Sequence, residues 1–315
     1  MDPLTSLLEG PRARGAFILR AMLDPPWSLR IQDRAPLTVV ALVRGSAWIR
    51  PDGGPAEHIV AGAIAVARGP DPYTVADDLA TAVQVVIHPG ERCATPDGVD
   101  LHDVMDLGVR TWGNSSTGST VMLVGTYHMD GDVSRRLLRC LPTLIVLRDE
   151  PATAPLVSLL SAEVKRDEPG QDAVLDRQLD LLLITALRAW LARPEADPPG
   201  WYRASTDPVV GPALRLLQHN PAHRWSIEDL AAKVGVSRAA LARRFAALVG
   251  EPPMAYLTGW RLALAADLLR EPDATLAAVA RQVGYATPFA LSSAFKRVRG
   301  VSPQEHRRLA GVRRS

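Results

Sequence analysis

The stretch Ile227-x-x-Leu230-Ala231-x-x-x-Gly235-x-Ser237-x-x-x-Leu241-x-x-x-Phe245-x-x-x-x-Gly250 is written twice in this chain. It returns as Leu276-x-x-Val279-Ala280-x-x-x-Gly284-x-x-Thr287-x-x-x-Leu291-x-x-x-Phe295-x-x-x-x-Gly300. Apolar residues three and four apart predict helices. The glycine, followed by Ser or Thr, predicts a tight turn and a second, capped helix, so each copy reads as a helix-turn-helix. Ser226 with Asp229, Ser237, and Thr287-Pro288 supply helix starts, and Gly250 and Gly300 supply stops. Between the copies, Pro253 precedes a helix expected from about Met254 to Arg270, with an apolar stripe of Met254, Leu257, Leu264, Ala265, Leu268 and Leu269. A rod of that length spans roughly 25 Å. Two such units on one rod can enter two major grooves of DNA about 34 Å apart.

The bulk numbers fit that reading. The 315 residues suffice for two domains, and the net charge of +2 hides an asymmetry. Residues 205–315 hold 16 Lys/Arg against 8 Asp/Glu, whereas residues 1–204 hold 20 against 26. A basic C-terminal half beside a mildly acidic N-terminal half fits a polyanion binder joined to something else. No apolar stretch approaches the roughly 20 residues of a membrane span. Met1-Asp2-Pro3 opens no basic-then-apolar leader, and Cys93 and Cys140 are too few for a disulfide framework, so a cytoplasmic protein is expected.

From Leu37 to about Val86 the pattern is short and β-like. Thr38–Val43, Ala47–Arg50, His58–Val60, Ala63–Val66, Ala82–His88 and, later, Val121–Tyr127 read as strands, with Pro51-Asp52-Gly53-Gly54 as a hairpin turn. This predicts a small antiparallel barrel or sandwich, with Pro89–Gly118 mostly loop. Helical periodicity follows over Ala154–Lys165 and Asp172–Ala192. The second helix carries Leu175, Leu179, Leu182, Leu183, Ala186 and Trp190 along one face, and Leu181 and Ile184 widen the stripe. It could pack flat on the barrel, or also against its copy in a second subunit. The polar, proline-rich run Arg193–Gly200 marks a linker. The expected organisation is an N-terminal domain over 1–192, a linker over 193–206 and an all-helical domain over 207–315. The fold class is therefore α+β, an N-terminal antiparallel β-barrel with helices followed by an all-α double helix-turn-helix domain.

The C-terminal hundred residues resemble the DNA-binding domain of the AraC/XylS family of bacterial transcription regulators. The resemblance rests on Leu230-Ala231-x-x-x-Gly235-Val236-Ser237, Leu241-x-x-x-Phe245, Gly250-x-Pro252 and Tyr256. It continues through Arg261-Leu262-x-x-Ala265-x-x-Leu268-Leu269 and Val279-Ala280-x-x-Val283-Gly284-Tyr285 to Phe295-Lys296-Arg297-x-x-Gly300-x-Ser302-Pro303. The N-terminal part looks, more loosely, like the cupin-type sensor that often accompanies this domain, on Leu42-Val43-Arg44-Gly45-Ser46 and Ala61-Gly62. The resemblance implies a transcription regulator, an activator or a repressor, that binds double-stranded DNA. It further implies a homodimer, for which helix 172–192 is the candidate surface, and contact with RNA polymerase. By position, Ser237, Arg238, Ala239, Ala242 and Arg243 belong to the first DNA-reading helix. Thr287, Phe289, Ser292, Ser293, Lys296 and Arg297 belong to the second. Arg243 is the expected base reader, because its planar fork fits the two acceptors of guanine. Arg244 is expected at a phosphate or on the surface. Where the family commonly has arginine, the second helix has Ser293, a poor discriminator. Lys296, Arg297 and Arg299 are expected to hold phosphates, which positions without specifying.

A cupin barrel can also be a metal enzyme, holding its ion with histidines and a carboxylate. Here Thr38–Ile49 contains neither His nor Glu, Ala63 stands where the family often has Asp, and Tyr73 where a histidine often follows the turn. His58, His88, His102 and His128 show no paired spacing, and a zinc site on Cys93 and His102 has little support. No catalytic residue, metal or cofactor is therefore expected. A small organic effector in the barrel is, with Arg44, Trp48 and Tyr73 as candidates to line its interior. The alternatives are a constitutive regulator whose barrel only dimerises, and a metal-dependent cupin enzyme fused to a DNA-binding domain.

Overall fold

The computed structural model describes residues 17–127, 131–193, 196 and 198–312. The expectations placed on Met1–Pro3, on His128 and on Pro194, Glu195 and Asp197 of the linker lie outside them. The chain divides into two compact units.

The first unit is built on two six-stranded sheets. Its strands are β1 (Phe17–Leu23), β2 (Ser28–Ile31), β3 (Leu37–Arg44), β4 (Ser46–Pro51), β5 (Glu57–Val60) and β6 (Ile64–Arg68). They continue with β7 (Tyr73–Ala76), β8 (Val85–Ile87), β9 (Cys93–Ala94), β10 (Thr111–Gly113), β11 (Thr120–Tyr127) and β12 (Leu144–Leu147). One sheet runs β10-β1-β11-β3-β6-β12 and the other β5-β4-β7-β2-β8-β9. Pairing is antiparallel except for β1 with β10 and β2 with β8. Between the sheets, Trp27, Val40, Leu42, Ile49, Ile59, Ala65, Tyr73, Val75 and Met122 form one packed core. β3 is buried on both faces, because Val39 and Ala41 point away from that core yet remain covered. Such a strand reads as a continuous apolar run instead of an alternation.

Helices explain the second covered face. α1 (His102–Met105) is a single turn, and α2 (Asp132–Leu138) is treated below. α3 (Ala154–Glu163) packs on β3, and α4 (Gln171–Leu191) lies against the same sheet. The α4 stripe of Leu175, Leu179, Leu182, Leu183, Ala186, Leu187 and Leu191 is buried. Leu179 seats over Gly125, where a Cβ would stand 2.6 Å from its Cδ2. The Tyr127 hydroxyl donates to the Leu179 carbonyl at 2.7 Å. Trp190, expected on this stripe, is only half-buried, and Leu187 and Leu191 take the inward positions.

The second unit holds α5 (Gly200–Ser205), α6 (Val210–His219), α7 (Ile227–Lys233), α8 (Arg238–Val249), α9 (Pro253–Leu268), α10 (Leu276–Gln282), α11 (Pro288–Arg299) and α12 (Pro303–Val312). Part of the expected linker is thus the helix α5, which packs against α8. The repeat emerges as two helix-turn-helix units, α7–α8 and α10–α11, joined by α9. All four of their helices begin on a hydroxyl: Ser226, Ser237, Thr275 and Thr287 each accept from the amide three residues on. Each such cap contributes about 1 kcal/mol. The two turn glycines, Gly235 at φ 74 and Gly284 at φ 84, are in the left-handed region, but their surroundings differ. Nothing lies within 4 Å of a Cβ placed on Gly235. One placed on Gly284 meets the Ala222 Cα at 2.7 Å and the Pro221 carbonyl at 2.8 Å. The second turn is thus tied to the loop after α6. Arg261 of α9 ties the same loop, donating to the carbonyls of Pro221 (2.6 Å) and His223 (2.7 Å).

Candidate nucleic-acid interface

The inward stripe of α8 is Leu241 and Phe245, and that of α11 is Leu291, Ala294 and Phe295, all buried. Helix periodicity then fixes what faces out. On α8, Arg238, Ala239 and Arg243 are exposed and Ala242 is half-buried. On α11, Phe289, Ser293, Lys296 and Arg297 are exposed and Ser292 is half-buried. Ser237 and Thr287 sit exposed at the two helix starts, each side-chain oxygen engaged by a backbone amide, at 3.2 Å from Ala240 and 3.1 Å from Ala290. Ala239, Ala242 and Arg243 thus share one face of α8, and Phe289, Ser292, Ser293, Lys296 and Arg297 share one face of α11, whereas Arg238 lies at the start of α8 seven residues before the buried Phe245.

The two faces differ in chemistry. Arg243 makes no hydrogen bond or ion pair among the described residues, so its five donors are uncommitted. Arg238 pairs with Glu228 at 2.9 Å with both side chains in solvent, and its guanidinium holds the Glu228 carboxyl below the usual range. Such an exposed pair contributes little and exchanges readily for a phosphate. On α11 the position equivalent to Ala239 is Phe289, which is 80% exposed. A large aromatic ring is thus held in water at the start of α11, where the first unit has a methyl group.

Two arginines take fixed partners. Arg244 is on the surface, as expected, with its side chain 49% exposed. It donates through Nε and Nη2 to Asp207 at 2.9 and 2.7 Å, while Asp207 also accepts the amides of Val209 and Val210 at 2.9 Å each. Arg244 therefore anchors α8 to the start of α6. Arg299 continues the inward stripe of Leu291 and Phe295 four residues on. It pairs with Asp132 at 2.9 Å and is 22% exposed. Spacing alone could have placed Arg299, since 291, 295 and 299 share one side of a helix.

The three candidate effector residues lie in three places. Tyr73 is buried among the residues between the sheets, and burial holds its phenol un-ionised. Trp48 alternates with the inward Ala47 and Ile49, so it faces outward, its ring 4.8 Å from that of His58. There it lines a shallow cleft with Ser28, Arg50, Thr74 and Leu79. Arg44 is exposed at the end of β3 and donates to the carbonyls of Thr117, at 3.2 Å, and Gly118. The barrel interior thus receives one of the three. Among the described residues, no three His, Cys, Asp or Glu side chains converge as metal ligands.

Comparison with known proteins agrees with this geometry. A family model described as "Cupin" matches residues 2–192, and one described as "Helix-turn-helix domain" matches residues 230–309. A "putative AraC-like transcription regulator" of Streptomyces lividans is 32% identical over 314 residues, spanning 98% of each chain. The chain belongs to the AraC-like transcription regulators. A second such protein, from Streptomyces antibioticus, is 31% identical over 98% of this chain and 99% of its own. The regulator AlkR of Acinetobacter baylyi is 27% identical over 98% and 99%. The DNA-binding domain of AdpA, solved with a target DNA, is 33% identical over 35% of this chain and 97% of its own, with a TM-score of 0.32. On the two family models and the full-length relatives, the double helix-turn-helix is the DNA-binding domain of this AraC-like regulator, and the strand-built unit is its cupin domain.

The Arg244–Asp207 anchor makes a pH-dependent prediction. Burial raises the Asp207 carboxyl, but the Arg244 hydrogen bond and the Val210 and Val209 amides outweigh it and leave the group below its ordinary value. A depressed carboxylate contributes stability above its unfolded value and loses it as pH falls through the folded one. Asp207→Asn is thus expected to unfold at lower denaturant than the wild type at neutral pH. The difference is expected to shrink below the ordinary carboxylate range, as read from denaturation midpoints across pH. A gap that stays constant with acidification contradicts the anchor.

Proposed function

We propose that this regulator reads base sequence chiefly through α8 and that a small organic effector bound by the cupin domain controls it. The observation that carries the first part is the asymmetry of the two reading faces. Arg243 offers an uncommitted fork, the shape that binds guanine O6 and N7 together. The matching position on α11 is Ser293, flanked by Ser292, Lys296 and Arg297. That face suits phosphate positioning and apolar contact through Phe289 more than discrimination. Ser237, Arg238, Ala239, Ala242 and Thr287 complete the proposed interface with double-stranded DNA.

For the cupin domain, effector control is favoured over catalysis: its full-length relatives are named as transcription regulators, and Ala63 and Tyr73 replace the usual ligand types. The effector would act by favouring one arrangement of the DNA-binding domains over another, with RNA polymerase as the downstream partner. The proposed boundaries are 1–192, 193–206 and 207–315. We place the protein in the cytoplasm with its DNA. Cys93 and Cys140 form no disulfide, and no helix among the described residues is long and apolar enough to cross a membrane.

A homodimer through α4 is supported by what that helix leaves uncovered. Val174 and Leu181 are 42% and 50% exposed one heptad apart, and Leu159 of the neighbouring α3 is 55% exposed. A row of large aliphatics in water on paired helices suits a self-complementary contact.

Three measurements test these parts. Arg243→Ala is expected to relax preference at one base position and to cost about 1–3 kcal/mol of specific affinity. An in-vitro binding-site selection showing equally sharp preference under both helices contradicts the asymmetric reading. Leu181→Glu is expected to convert a dimer to a monomer in sedimentation equilibrium, and a wild type that is monomeric throughout removes the dimer. A thermal-shift screen of small metabolites is expected to find one that raises the unfolding temperature by mass action and changes DNA affinity. A ligand that stabilises the fold without touching DNA binding speaks for the dimerisation-only barrel.

A further inference from the structure

Residues 132–137 of α2 group with the DNA-binding helices, although the chain reaches α2 from β11 and leaves it for β12. Its contacts there are specific at both ends. The Asp267 carboxylate, on the last turn of α9, accepts the amides of Asp132 and Val133, so it caps the start of α2. The Asp132 side chain, only 9% exposed, receives Arg299 at 2.9 Å and Arg135 at 3.3 Å, with His306 of α12 at 3.9 Å. Arg299 in turn lies over the Phe295 ring at 5.2 Å, and the His306 ring stands 5.4 Å from that same ring.

One turn further along α2, Arg136 meets the other half of the domain. Its guanidinium lies 5.4 Å from the Tyr256 ring and 5.9 Å from the Trp260 ring, and its Nη2 is 3.8 Å from Glu251. Tyr256 meets Phe245 edge-on at 5.8 Å, and its hydroxyl receives Gln218. Phe245 and Phe295 are the same position of the sequence repeat, each the fully buried anchor of a DNA-reading helix. Residues four apart share one side of a helix, so Asp132 and Arg136 engage both layers from a single face of α2.

We propose that α2 is a positioning element for DNA recognition. Arg136 bears on the layer behind Phe245 and Asp132 on the layer behind Phe295, and together they hold the two reading helices at one spacing. Neither residue touches DNA; both act through the rings and through Arg299. Because α2 is continuous in sequence with β11 and β12, the spacing of the DNA readers is then set by a segment of the cupin half of the chain.

This rests on the DNA-reading function proposed above, and one selection experiment separates the two. Full-length protein is used to select from random duplexes about 60 base pairs long, enough for several helical turns. The wild type is expected to choose two base blocks at one separation. The double variant Asp132→Asn/Arg136→Ala is expected to keep the base preferences of each block but spread over neighbouring separations. It should bind the wild-type site about tenfold more weakly and unselected duplex equally well. A general loss of stability would weaken both kinds of binding and leave the separation fixed. The charge-swapped pair Asp132→Arg/Arg299→Asp is expected to recover affinity over either single change. A separation that stays fixed in the double variant, whatever its affinity, or no recovery in the swapped pair, overturns the role of α2. A wild type that selects no sequence overturns the DNA-reading function instead.

Discussion

DNA dictates the constraint on which this protein's architecture turns: neighbouring major grooves on one side of a duplex recur at a fixed interval, near 34 Å. A protein that reads two of them needs two helices whose separation does not drift. Here the separation is carried by α9, whose Tyr256, Leu257, Trp260, Leu262, Ala263, Ala265 and Ala266 are buried. The rod is thus clamped by both flanking helix-turn-helix units, not left in solvent. The packing behind Phe245 and Phe295, the loop tie through Arg261 and the backbone contact that excludes a side chain at Gly284 all act against rotation of one reader relative to the other.

Electrostatics is divided accordingly. Several cations of the domain are engaged by the fold: Arg299 of α11 by Asp132, Arg261 of α9 by two carbonyls and the half-exposed Arg244 of α8 by Asp207. Cations at the front of the reading helices are uncommitted or held only by exposed partners. A count of basic residues in the C-terminal domain therefore overstates what is available for phosphates. The salt dependence of DNA affinity follows only the charges that reach the backbone.

How far the sequence could be read depends on the range of the interaction concerned. The helix-turn-helix units were legible because caps, turn glycines and apolar spacing are local and were written twice. Thr275 stands where Ser226 stands in the first copy, so even the cap that was not anticipated was present in the repeat. β3 and β11 announced themselves by β-branched and apolar runs and β4 by the turns that flank it, but β1, β2, β7 and β12 did not. β2, β7 and β12 are only four residues long, and β1 is an apolar run broken by Arg20, so none writes the polar–apolar alternation that marks a strand. The outward face of Trp48 was available from its neighbours, since Ala47 and Ile49 are the inward pair and period two puts Trp48 opposite. The partnership of Arg244 with Asp207, and of Arg299 with Asp132, lies beyond any pattern. Residues 37 and 167 positions apart meet only because the whole domain has closed.

The exchange of contacts between α2 and the reading domain bears on how such regulators can be recombined. A chimera made by grafting residues 207–315 onto a foreign sensor carries every residue of the reading faces but leaves Asp132 behind, stranding Arg299 against a vacated surface. It likewise exposes the outer rims of Tyr256 and Trp260. The portable module of this protein is therefore discontinuous in the gene, and an engineer who moves it must bring along a seven-residue passenger from the other half.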